Sequence, residues 1–183
     1  LPQLLNLLQE NLSSNKLDAP NDVSIKFYKG VINARKIYEE TFKADEVRAF
    51  ARIGKEESLW TDNAVVFNKA FKANKQLKMW EIIHGDIATE ISEHVYTNTD
   101  RYFFKLLPKQ LKLNSSEDII IYDGKVAIMN FRSGGTSILL QSIDFYNNLK
   151  ELFDFIWNLL SDPESIKKDP NNKHKIIIDT TKN

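Results

Sequence analysis

An α/β fold with a mixed, largely parallel sheet flanked by helices is predicted by this sequence on three observations. Val23, Ile25 and Phe27 alternate with Ser24, Lys26 and Tyr28, the period of a strand with one buried face. Val31, Ala34, Ile37, Tyr38 and Phe42 then recur at helical spacing, opposite Asn33, Arg35, Lys36, Glu39 and Glu40. A second alternation sets Val47, Ala49, Ala51 and Ile53 against Arg48, Phe50 and Arg52. Strand, helix and strand in this order fit a right-handed crossover, which predicts that the first two strands are parallel neighbours.

The amino-terminal stretch has its own pattern. Leu1, Leu4, Leu5, Leu8 and Leu12 form a leucine stripe at spacings of three and four. Two readings are open: a helix packed on its own domain, or the stub of a dimerising coiled coil shorter than an independent one. Ser13 to Asn15 and Asp18 to Asp22 form a polar connector.

Beyond Ile53, GKEES is a loop, and Leu59 onward reads as a helix with Ala64, Phe67, Ala70 and Phe71 inward. Leu77 to Ile83 is a third strand ending at His84-Gly85, and Asp86 is placed to cap a short helix carrying Ile87, Ile91 and Val95. Arg101 to Leu107 is a fourth strand, stopped by Pro108. Tyr122-Asp123-Gly124-Lys125 lies between alternating apolar runs, a strong hairpin signal. Ser137 to Ser142 is a further strand. The closing helix carries Tyr146, Leu149, Leu152, Phe153, Ile156, Trp157 and Leu160 on a wide apolar face. In the tail, residues 161–173 read as linker, and Ile176 to Ile178 as an edge strand. The expected organisation is a linker helix over 1–19, an α/β domain over 20–161 and a tail over 162–183.

Composition narrows the function. Lys plus Arg (25) balances Asp plus Glu (25), so no net field draws the chain to nucleic acid or anionic lipid. There are no cysteines, which excludes disulfides and thiolate metal sites and is compatible with a cytoplasmic setting. The apolar runs are too short to span a bilayer, so no membrane partner is expected. Neither a glycine-rich phosphate loop before a helix nor a Gly-x-Ser-x-Gly elbow occurs, and no cofactor, metal or enzymatic activity is expected. Glu90 and His94 lie four apart on an expected helix and read as solvated surface.

Position marks the binding candidates. His84 ends a strand, where open α/β sheets bind ligands, although a turn residue without a catalytic role is the plainer reading. Arg52 and Arg132 end strands and can hold an anion. Ser58 lies in the loop after the second strand. Trp60 and Trp80 can stack on a sugar, with core packing the commoner role for such residues.

The stretches SIKFYKGVINARKIYEETFKADEVRAFARI, Leu107-Pro108-Lys109, DIIIYDGKVAIMNF and SILLQSIDFYNNLKELFDFIWNLL occur in that order over about residues 20 to 161. This order resembles the effector domain of TrmB-type transcription regulators. The resemblance implies half of a phospholipase D-like α/β fold without its catalysis, whose signature pairs a His and a Lys two residues apart. Here His174 and Lys175 are adjacent, and Tyr122 to Lys125 has no histidine. It also implies a homodimer joined through Leu1, Leu4, Leu5, Leu8 and Leu12, and a small-molecule effector such as a sugar or other metabolite. DNA would be read by a winged helix-turn-helix outside this chain. The readings set against it are a degenerate phosphodiesterase or nuclease, and a self-association module without ligand.

Overall fold

The computed structural model describes residues 23–53, 63–85, 91–92, 100–108, 111, 117–130, 135–162, 166–168 and 175–178. Its centre is a seven-stranded sheet in the order β1-β8-β7-β6-β2-β3-β5. The strands are β1 (Ser24–Lys29), β2 (Glu46–Ile53), β3 (Lys78–Gly85), β5 (Tyr102–Leu106), β6 (Glu117–Tyr122), β7 (Lys125–Asn130) and β8 (Thr136–Gln141). Helices α1 (Val31–Thr41), α2 (Asn63–Ala73) and α3 (Ile143–Leu159) lie between them in sequence. A second sheet, β4-β10-β9, joins β4 (Ile91–Ser92), β10 (Lys175–Ile178) and β9 (Ile166–Lys168).

Strand pairing departs from expectation in one respect that matters. β1 is an edge strand paired antiparallel with β8, not a parallel neighbour of β2. The hairpin strands β6 and β7 and the returning β8 stand between them. The sheet is mixed, and its parallel part is confined to β2–β3 and β3–β5, the other pairings being antiparallel. The junction of β1 with α1 explains how the edge is fixed. Gly30 donates its N–H to the Gly135 carbonyl at 2.9 Å. Gly135 has φ +80, a conformation L side chains rarely adopt, and a Cβ there would lie a tight 3.2 Å from the Val31 nitrogen, so a side chain at this crossing would be strained.

The tail and the stretch after β3 also differ. Ile91–Ser92 is a strand and not part of a helix; Ile87 and Val95 lie outside the described residues. Residues 166–168, expected as linker, form a strand, and β10 has neighbours on both sides rather than being an edge. Helix α2 is described from Asn63 onward; Leu59 to Asp62 lie outside the described residues, as does the whole of residues 1–22.

Each face of the sheet carries its own core. On one, Ala34, Ile37, Tyr38 and Phe42 of α1 and Phe67, Ala70 and Phe71 of α2 pack on Val47, Ala49, Met79, Ile83, Tyr102, Ile120 and Tyr122. On the other, Phe153 of α3 is fully buried against Ile82 and Ile121, with Phe50, Trp80, Ile119, Leu149, Ile156 and Trp157 around it. Polar side chains finish the helices. Ser142 Oγ accepts the Phe145 N–H at the start of α3, and Lys105 Nζ donates to the Trp157 and Leu160 carbonyls at its end. Asn74 donates to the Phe42 and Ala44 carbonyls and accepts from Gln76 and Leu77, tying together the turns that enter β2 and β3.

Candidate functional site

Arg52 and His84 stand one residue from the ends of β2 and β3, and the parallel register makes them direct partners. Alternation from Phe50 and Ile82 puts both on the α3 face. Two of the five residues chosen for their place at strand ends are thus brought side by side. Ser58, Trp60 and Arg132 lie outside the described residues, as do Leu1, Leu4, Leu5, Leu8 and Leu12.

The His84 side chain is buried, with 3% of the residue exposed, and its Nδ1 has no hydrogen-bond partner. Burial lowers its pKa, and the Arg52 guanidinium lowers it further. The imidazole is therefore neutral at neutral pH. A buried ring nitrogen without a partner costs free energy, about 1 to 3 kcal/mol in general.

Behind this pair lies a group of acids that the sequence reading did not single out. The Arg52 backbone N–H donates to Asp118 Oδ1 at 2.9 Å, joining the ends of β2 and β6. Burial pushes the Asp118 carboxyl up to about 7, against the Arg52 hydrogen bond and charge, which pull it down. Alternation puts Asp118 on the α1 face with Ile120. Glu81, buried on the same face, accepts a short hydrogen bond from the Tyr102 hydroxyl. Burial raises its pKa to about 7; the Tyr102 bond lowers it and the Asp118 charge raises it. Tyr38 of α1 completes the group: burial first, then the charges of Glu81 and Asp118, raise its hydroxyl pKa. A carboxylate within an apolar strand is the signal that could have found these residues, Glu81 in MWEIIHG and Asp118 in EDIIIY.

Trp80 takes its core role. Its ring stacks on Phe103 at 5.6 Å and lies beneath the Arg48 guanidinium at 5.0 Å. Arg48 in turn bonds Asp154 of α3 at 2.6 Å. A groove of about 620 Å³ lies away from the Arg52–His84 pair, at the α1 and α2 turns that enter β2 and β3. Phe42, Val66, Ala70 and Ala73 form its apolar wall, and Glu39, Lys43, Lys69 and Asn74 its polar one. Among the described residues no three His, Cys, Asp or Glu side chains come together as a metal site. No helix among them is long and apolar enough to cross a membrane.

No protein-family model and no curated protein matches this sequence. Solved structures do. NucT from Helicobacter pylori superposes with a TM-score of 0.54 at 12% identity, over 76% of this chain and 99% of that one. Nuc from Salmonella typhimurium, a phospholipase D family member, superposes with a TM-score of 0.53 at 13% identity, over 78% and 99%. TrmBL2, an archaeal chromatin protein with a novel mode of DNA binding, gives a TM-score of 0.49 at 11% identity over 87% of this chain, which spans 62% of that chain's length. At these identities the likeness speaks for the fold alone: the mixed sheet and its helices form a phospholipase D-like α/β fold.

Proposed function

We propose that the chain is a ligand-sensing domain of a TrmB-like transcription regulator, and that its ligand is held at the carboxyl ends of β2 and β3. The observation that carries this reading is the Arg52–His84 pair, a cation beside a buried, neutral imidazole with an unpartnered Nδ1. A guanidinium binds carboxylate or phosphate oxygens, and the ring nitrogen exchanges a hydrogen bond with a hydroxyl, so the pair suits a polyol or a hydroxylated anion. The transcription-regulator context rests on the ordered sequence stretches that end in the Trp157 helix. Binding would favour one arrangement of the domain, which a linker would pass to a DNA-reading domain outside this chain.

Thermal-shift measurement against sugars, nucleotides and small hydroxy acids tests it. A compound that raises the melting temperature of the natural chain, but not of Arg52→Ala or His84→Ala, supports the reading. No shift from any compound in the panel overturns it.

A second reading is phosphodiester hydrolysis. It is favoured by the neutral state of His84, which a nucleophile or general base requires, and by the phospholipase D-like fold. Turnover of single-stranded DNA or a phosphodiester reporter, abolished by His84→Ala, would put this reading in place of the first.

A further inference from the structure

The α3 face of the sheet is covered only in part. Its cross-strand rows run Ile121, Val126, Leu140, Ile25 and Ile119, Ile128, Ile138, Phe27 from β6 to β1. At the inner end, Ile121 and Ile119 lie in the α3 core. At the outer end Ile25 is exposed and Phe27 is 76% exposed. Ile128, Ile138 and Leu140, between them, are half-buried. A row of apolar side chains thus leads out from under the helix into the open.

Helix α3 is apolar on the flank that adjoins this open half. Phe145, Leu152, Phe155 and Leu159 are exposed, the last two by 62% and 69%. With Asn148 they recur at spacings of three, four, three and four, the pattern of a helix–helix seam. The opposite flank carries Lys150 and Asp154, and Asp154 reaches back to Arg48 on β2. Because that flank is turned toward β2, the Phe145–Leu159 seam is turned toward β7, β8 and β1.

We propose that the seam and the uncovered sheet beside it are the docking surface for this chain's own leucine stripe, Leu1 to Leu12, lying next to α3 as a further helix of the same layer. Three features select this occupant. Leu1, Leu5, Leu8 and Leu12 repeat at four, three and four, the complement of the α3 seam. As a helix, Leu1 to Leu12 would span about 17 Å, against about 21 Å from Phe145 to Leu159. The segment also joins the chain at Val23, immediately before the exposed edge strand, through a polar connector over 13–22 whose reach is about 33 Å. The leucine stripe then belongs to its own domain, and this holds whatever ligand the strand ends take.

The natural chain has no cysteine, so a cross-link can be placed without background. In the full chain, Leu5→Cys or Leu8→Cys combined with Leu152→Cys should form a disulfide within one chain upon mild oxidation, since the middles of the two seams meet in either helix direction. Hydrogen exchange supplies a second readout. Amides of residues 4–12 should be protected independently of protein concentration, and Leu152→Glu with Phe155→Glu should remove that protection while leaving β2 and β3 protected. Disulfides only between chains, with protection that grows with concentration, would assign the stripe to a second copy and overturn the proposal. Neither cross-link nor protection would overturn it as well.

Discussion

The two faces of the central sheet are built by opposite rules. The face under α1 and α2 holds two carboxyl groups, Glu81 and Asp118, deep among Tyr38, Tyr102 and apolar neighbours, and buries the Tyr122 and Ser137 hydroxyls without a partner among the described residues. The face under α3 keeps its charges at the helix flank, as in Arg48–Asp154, and leaves part of its apolar surface exposed and the His84 Nδ1 without a hydrogen-bond partner among the described residues. The first face holds its acids with raised proton affinity and with hydrogen bonds from the Tyr102 hydroxyl and the Arg52 N–H. The second leaves apolar side chains exposed at its outer edge and along the helix flank.

Substitutions should separate the two faces. The largest expected effect is that of Phe153→Ala, which empties the centre of the α3 core and should cost about 3 to 5 kcal/mol in urea unfolding. Next comes Glu81→Gln. The folded carboxyl holds its proton up to about pH 7, well above the ordinary value of 4.5, so the natural chain loses stability as pH rises between these values and none further above them. Glu81→Gln should leave stability almost unchanged at pH 4 and raise it by up to about 3 kcal/mol at pH 8, measured as the difference in melting curves. Asp118→Asn should act in the same direction and by a similar amount, because its carboxyl is likewise raised to about 7, from an ordinary 3.8, with the Arg52 N–H bond and charge already acting on it. The smallest effect belongs to Lys150→Ala, which removes one partner of a partly exposed i, i+4 pair and should cost a few tenths of a kcal/mol, within about 0.5. A stability gain from His84→Ala as large as that from Glu81→Gln would erase the distinction between the faces.

Much of the fold was legible because its signals are local. The helical spacing of Ala34, Ile37, Tyr38 and Phe42 names the buried face of α1, and all four are buried. Asp123 at φ 41 and Gly124 at φ 72 make the left-handed turn that an Asp-Gly pair between apolar runs implies. Pairing was not legible, because it is decided by segments far away in sequence. The alternation of β1 shows which side chains share a face and nothing about its neighbour, which turned out to be β8. The second sheet escaped for the same reason: three short strands from residues 91–92, 166–168 and 175–178 carry little periodicity of their own. At the site, strand ends pointed to Arg52 and His84, but only the register showed that they are adjacent. Glu81 and Asp118 were passed over because a single acid in an apolar strand reads as its solvent face until the second face is known to be covered.

The most direct test of the account is a calorimetric titration of the full chain and three variants with whichever sugar, nucleotide or hydroxy acid gives the largest thermal shift. A ligand held at the strand ends by Arg52 and His84 predicts that His84→Ala and Arg52→Ala weaken binding at least about tenfold, a loss of about 1.4 kcal/mol, whereas Glu81→Gln on the α1 and α2 face binds like the natural chain. Equal affinity in the natural chain and His84→Ala, or a loss confined to Glu81→Gln, would contradict it.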